Sequence, residues 1–167
     1  MSKINSLYKS SILWMLMDET TFLISSAREK ELRKNNLSSV QIKVLLTLNY
    51  VGRALTIQEL CHWTIRGHTS ISLLTDKMVD KGFVDKYTDI NNKNQTLISI
   101  TRKGKQIIRK LNTQRPIPEV FSVLSQEESD QLTIYLQKII NQAIEVTSPP
   151  YPPNLEELSG MLMKYTT

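Results

Sequence analysis

The chain of 167 residues is 40% hydrophobic and 22% charged, which suits one soluble domain with its own core, or one domain with an appendage, and excludes a large multidomain enzyme and bulk disorder. One cysteine and two histidines can supply neither an intrachain disulfide nor a four-ligand Cys/His zinc site, so a cytoplasmic protein without metal or cofactor is expected. The formal charge of +5 is uneven: residues 1–65 carry net +3, residues 66–115 carry 11 basic against 4 acidic side chains, and residues 116–167 carry net −5.

A central cationic block either meets a polyanion such as nucleic acid, releasing counterions, or is only a solvated face. Structural motifs must decide between the two.

Lys3 and Lys9 precede an apolar run from Ile12 to Met17, but Asp18 and Glu19 end that run after six residues. It is too short for a signal segment or a bilayer span, and no other stretch is longer, so no membrane association is expected. From Ser6 to about Lys34, Leu7, Ile12, Leu13, Leu16, Met17, Leu23, Ile24 and Ala27 recur at helical spacing and predict a long amphipathic helix ending at Asn35-Asn36. Ser38 with Gln41 then reads as a capping box, stapled by Leu37 and Ile42, that opens a second helix to about Tyr50.

Thr56 with Glu59 repeats that signature and opens a short third helix to about Trp63. Gly67 opens a fourth, with Ile71, Leu74 and Met78 on its core face, and Gly82 closes it as a left-handed residue. Two short helices joined by a tight turn are a helix-turn-helix candidate. The period then changes to two: Phe83, Val84 and Tyr87, then Leu97, Ile98 and Ile100, flank a polar stretch from Asp89 to Gln95, which predicts a β-hairpin with a long tip.

Thr101 can cap a further helix carrying Ile107, Ile108 and Leu111, which the prolines at 116 and 118 stop. Ser125 with Glu128 caps the next, whose apolar side is Leu132, Tyr135, Leu136, Ile139, Ile140 and Ile144. Ser148 to Pro153 holds four of the six prolines and reads as a stiff, extended spacer. Asn154 can then cap a short helix with Leu155, Leu158, Met161 and Leu162, a tail expected to dock on its own body or on a partner subunit, or else to fray. The glycines at 52, 67, 82, 104 and 160 all read as turns or helix ends.

Helix-turn-helix, hairpin and return helix in this order describe a winged helix, whose second short helix fits the major groove of about 12 Å while the hairpin reaches the backbone or the minor groove. Leu37-Ser38 with Gln41 and Leu45, Thr56-Ile57-Gln58-Glu59-Leu60, and Ser70-Ile71-Ser72 with Leu74 and Asp76-Lys77-Met78 resemble the MarR family of multiple antibiotic resistance regulators. Lys81-Gly82-Phe83-Val84 and Ile100-Thr101-Arg102-Lys103-Gly104 extend the resemblance, which covers about residues 5 to 146. The implied fold is mainly α with a small β-hairpin wing, flanked by N- and C-terminal dimerisation helices. The implied organisation is 1–36 and 116–147 for the dimerisation helices, 37–115 for the winged domain and 148–167 for the proline-rich linker with its short helix.

The implied function is a homodimeric regulator, usually a repressor, that binds double-stranded DNA at a pseudo-palindrome of about 16 to 20 base pairs and is released by a small apolar or aromatic effector. The resemblance places DNA contacts on His68, Thr69, Ser70, Ser72, Leu73 and Lys77 of the recognition helix, and on Asn92, Lys93 and Asn94 of the wing. Thr69 and Ser70 can instead be helix caps. Leu73 stands where relatives often carry a base, and can meet thymine methyl groups or face protein. Asn92-Lys93-Asn94 replaces an Asp-Arg-Arg run, which leaves a thinner wing or a merely solvated loop.

Unspent apolar surface on Leu7, Leu13, Leu132, Leu136, Ile139 and Ile140 points to dimerisation. Trp14, Met17, Tyr50 and Trp63 can line an effector crevice or be ordinary core, Cys61 can be a packed thiol or a redox switch, and His62 reads as a surface residue. No phosphate-binding glycine loop, nucleophile elbow or metal-hydrolase motif occurs, so an enzyme is not expected. The competing function is a winged helix that docks protein rather than DNA.

Overall fold

The computed structural model describes residues 2–90, 92, 95–112, 116–158 and 160, and of residues 2–6, 112 and 116 the backbone only. It divides into two units.

The first unit is Met1–Ser39 with Gln114–Val123. Helix α1 (Ser2–Arg33) ends where Asn36 takes the left-handed conformation at φ 55°, and the N–H of Asn35 and of Leu37 both return to the Leu32 carbonyl. Asparagine tolerates this region better than other non-glycine residues, which is why the helix stops at the Asn-Asn pair. Trp14, Met15, Leu16 and Met17 are all exposed, and with about 3.6 residues per turn four consecutive apolar residues cannot share one stripe. The expected one-sided amphipathic helix is therefore corrected to one that is apolar on several faces. Against α1 packs α6 (Pro116–Phe121), a helix that the prolines concealed. Proline ends a helix from within but is well placed in its first turn, where no N–H is needed.

The second unit is Val40–Thr113 with Leu124–Thr167. Its elements are α2 (Ser39–Val51), β1 (Leu55–Thr56), α3 (Ile57–Thr64), α4 (His68–Asp80), β2 (Val84–Thr88), β3 (Thr96–Ile100), α5 (Arg102–Asn112) and α7 (Gln126–Thr147). The sheet is antiparallel in the order β1-β3-β2, with Leu55 opposite Ile98 and Val84 opposite Ile100. The expected hairpin is present, and β1 adds a third strand too short to leave an alternating pattern.

Val44, Leu45, Leu48, Leu60, Ile71, Met78, Ile98 and Leu111 form the buried core of this unit. Gly82, at φ 69°, closes α4 as expected, with its N–H on the Val79 carbonyl and that of Phe83 on Met78. Gly104 is set by packing instead: a β-carbon there would collide with the Phe83 carbonyl oxygen and stand 2.8 Å from Ile100 Cγ1. Helix α7 opens on the expected Ser125–Glu128 capping box and buries no residue.

Candidate nucleic-acid interface

The site begins with the cap of α3. The Thr56 hydroxyl accepts the Glu59 N–H at 3.1 Å, the Thr56 N–H donates to Glu59 Oε2 at 2.7 Å, and Arg53 donates to Glu59 Oε1 at 2.7 Å. Burial works to raise the Glu59 pKa, but the Arg53 hydrogen bond, the two bonds from Thr56 and the Arg53 charge outweigh it and hold the carboxyl below its usual value. Helix α3 ends at Ile65, whose φ of 56° is uncommon for a β-branched residue. The N–H groups of Ile65 and Arg66 both reach the Cys61 carbonyl, fixing the tight turn into Gly67, the N-cap of α4.

Helix α4 buries Ile71, Thr75 and Met78. The expected place of Leu74 on the core face is corrected: Leu74 is half-buried, while Thr75 is fully buried and donates its hydroxyl to the Ser72 carbonyl at 2.8 Å. A threonine whose hydroxyl bonds within its own helix can occupy an apolar position, and periodicity that counts only apolar types misses it. On the opposite side Thr69, Ser70, Leu73 and Lys77 are exposed, with Leu73 at 59%; His68 is exposed in the first turn, and Ser72 is half-buried. Gly67 offers no side-chain cap, so the first turn of α4 leaves backbone N–H groups for an outside acceptor.

Ser72 and His68 form one wall of a crevice of about 300 Å³, with Thr56 of β1, Gln58 of α3 and Lys86, Gln95 and Thr96 of the hairpin around it. Lys86 Nζ lies 2.6 Å from Asp76 Oδ1 and ties β2 to α4. Thr56 and Gln58 stood out in the sequence only as part of a helix cap and a family pattern, and Lys86 and Thr96 not at all, because these residues converge only after the chain folds. In the wing, the Asp89 N–H meets the Gln95 carbonyl and the Gln95 N–H that of Asn92, Asn92 is exposed, and Ile90 is 92% exposed. Lys93 and Asn94 lie outside the described residues.

The positive charge divides. Arg102, Lys103, Lys105, Arg109 and Lys110 lie exposed on α5, whereas α4 contributes Lys77 and the turn before it contributes Arg66. The central block is thus several patches. Lys43 of α2 sits below the ordinary lysine range because its surroundings desolvate it and because Arg66 repels its charge.

No protein-family model matches the chain, and no curated protein matches it by sequence. Solved structures do match. The organohalide-sensing transcriptional regulator RdhR in its 2,4-dichlorophenol-bound form superposes at TM-score 0.74 with 21% identity over 91% of each chain. The transcriptional regulator BldR from Sulfolobus solfataricus gives 0.70 and 20% over 85% of this chain and 99% of its own. A cysteine-to-serine mutant of MarR from E. coli complexed with operator DNA gives 0.66 and 19% over 83% and 99%. The fold is that of the MarR-type regulators.

Within this MarR-type fold, the residues expected to line an effector crevice divide. Tyr50 and Trp63 meet edge to face at 6.4 Å, with Trp63 buried; Trp14 and Met17 are exposed on α1, in the other unit. Cys61 is fully buried, and burial raises its thiol pKa, which suits a packed residue. His62 is corrected: its Nδ1 lies 3.1 Å from the Pro152 carbonyl oxygen, so it holds the C-terminal tail rather than facing open solvent. Among the described residues no helix is long and apolar enough to cross a membrane, and no group of His, Cys, Asp or Glu could hold a metal.

Proposed function

We propose that this chain is a sequence-specific DNA-binding transcriptional regulator, a cytoplasmic homodimeric repressor working on a pseudo-palindromic operator. The observation that carries the reading is the outer face of α4, where His68, Thr69, Ser70, Leu73 and Lys77 are exposed beside a polar crevice and the wing. Hydroxyls and the imidazole offer hydrogen bonds to phosphates or base edges, Lys77 and Arg66 neutralise phosphates, and Leu73 offers apolar contact to a thymine methyl group. Asn92, Lys93 and Asn94 are the wing contacts of this reading.

Dimerisation is supported by exposed apolar surface. Leu7 and Leu13 of α1, and Leu132, Leu136 and Ile139 of α7, are exposed, with Ile140 half-buried, and helices apolar on several faces need a neighbour. Residues 1–36 and 116–147 then serve as dimerisation helices and 37–115 as the reading domain, with 148–167 appended. Two-fold symmetry sets the recognition helices about 34 to 36 Å apart. That one neighbour of this fold was solved with operator DNA and another with 2,4-dichlorophenol supports DNA and a small aromatic effector as ligands.

Selection from a random duplex library with the purified protein tests the reading. Enrichment of an inverted repeat with half-sites one helical turn apart is expected, whereas an unenriched pool would favour the protein-docking alternative that exposed Leu73 and Ile90 otherwise permit.

A further inference from the structure

The chain beyond α7 returns to the winged domain. Ser148, at φ 43°, ends the helix in the left-handed conformation with its N–H on the Ile144 carbonyl. The strand of prolines then crosses α3. The Pro152 carbonyl oxygen lies 3.1 Å from His62 Nδ1, and the Tyr151 ring meets the His62 imidazole edge to face at 5.5 Å. Asn154 Oδ1 accepts the Glu157 N–H at 3.2 Å and starts a helical stretch that covers 155–158 and includes Gly160. Gly160 passes so near Tyr50 that a β-carbon there would stand 2.7 Å from the tyrosine hydroxyl oxygen.

The His62 contacts fall on the side of α3 that the core does not use, and the Gly160 approach falls on Tyr50 of α2. Leu60, Cys61 and Trp63 are buried, and His62 between them takes the tail. An eight-residue helix has no stability of its own, so α3 depends on what touches it, and α4 follows α3 through the Ile65 turn. Pro149, Pro150, Pro152 and Pro153 restrict the free tail, so less conformational entropy is lost when it docks. At its centre the contact is polar, the Pro152 carbonyl on the half-buried His62, an arrangement that can open without unfolding the core.

We propose that residues 148–160 form a displaceable strap that braces α3, and that releasing it loosens the helix-turn-helix and weakens DNA binding. The DNA half rests on the regulator reading above; the bracing half does not. The test uses the full-length chain with Tyr151→Ala, with His62→Ala and with both, and adds a chain ending at Thr147. Amide hydrogen exchange is first followed without DNA. Exchange at 57–64 is expected to quicken about tenfold in each variant, the double substitution adding little to either single one because both break one contact, while the slowest-exchanging amides of α2 stay unchanged.

Affinity for the best duplex from the selection is expected to fall about three- to tenfold in all four proteins, with the preferred sequence retained, since the described strap contacts fall on His62 and Tyr50 and not on the recognition side chains. Unchanged exchange over 57–64 in both Tyr151→Ala and the shortened chain overturns the strap. Quickened exchange with equal or tighter DNA binding overturns its coupling to DNA. If no form binds any duplex, the regulator reading and with it that coupling fail, while the exchange result still decides the bracing.

Discussion

At the scale of single residues, the outer face of α4 makes separable predictions. Lys77 is exposed, and in the proposed DNA reading it meets phosphate as a point charge. Lys77→Ala should weaken binding on every sequence and reduce the salt slope by about one, read from titrations at several ionic strengths. Leu73→Ala should instead change which bases are preferred, since an exposed leucine can distinguish a thymine methyl group and cannot bind phosphate. Lys43 differs from both. Desolvation and Arg66 hold its pKa down, but its side chain is exposed and screened, so Lys43→Gln should leave the unfolding midpoint equal or slightly higher. A loss of stability in that variant would show that Lys43 is structural.

At the scale of elements, the cap of α3 links pH to stability. The folded-state pKa of Glu59 lies below its unfolded value, so the stabilisation is complete above the usual glutamate range and is lost as pH falls through the folded value. Glu59→Gln should therefore flatten the acid limb of the pH–stability profile, and Thr56→Ala should cost about 1 kcal/mol in denaturant unfolding at neutral pH. Gly104→Ala tests the tightest of the glycine positions. With the Phe83 backbone carbonyl and Ile100 in the way, it should cost about 1–3 kcal/mol or shift α5 against the sheet, as chemical denaturation would measure.

The same elements show what the sequence could convey. Local signals survived folding: the Thr56–Glu59 and Ser125–Glu128 boxes, Gly82 as a left-handed stop, and Asn154 as a cap are all as their spacing implies. What was illegible depended on distant partners. Nothing near Leu55 announces that it pairs with Ile98, nothing near Lys86 announces Asp76, and nothing near His62 announces a carbonyl ninety positions away. Thr75 and α6 were hidden for a different reason, since a threonine satisfied by its own helix and prolines in a first turn break composition rules without breaking physical ones. Lys93 and Asn94 were singled out by likeness alone, and lie outside the described residues.

At the scale of the whole molecule, charge and exposed apolar surface fall on different elements. Apolar residues are exposed on α1 and α7, the largest group of cations is on α5, and the face of α4 is mostly polar with few charges. Such a recognition face should gain its affinity from many modest phosphate contacts spread over two protomers, not from one strongly basic helix. If the proposed dimer is what binds tightly, Leu136→Glu with Ile139→Glu should shift sedimentation towards monomer and abolish binding to a two-half-site duplex, while one half-site is bound equally weakly by both proteins.

The most direct measurement is the salt dependence of affinity for the selected duplex. With six or more phosphates contacted, the association constant should fall by about 10³ or more between 50 and 200 mM salt, with a shallower slope for Lys77→Ala. Binding that is absent, or that barely responds to salt and to Lys77→Ala, would contradict α4 as the DNA-reading helix.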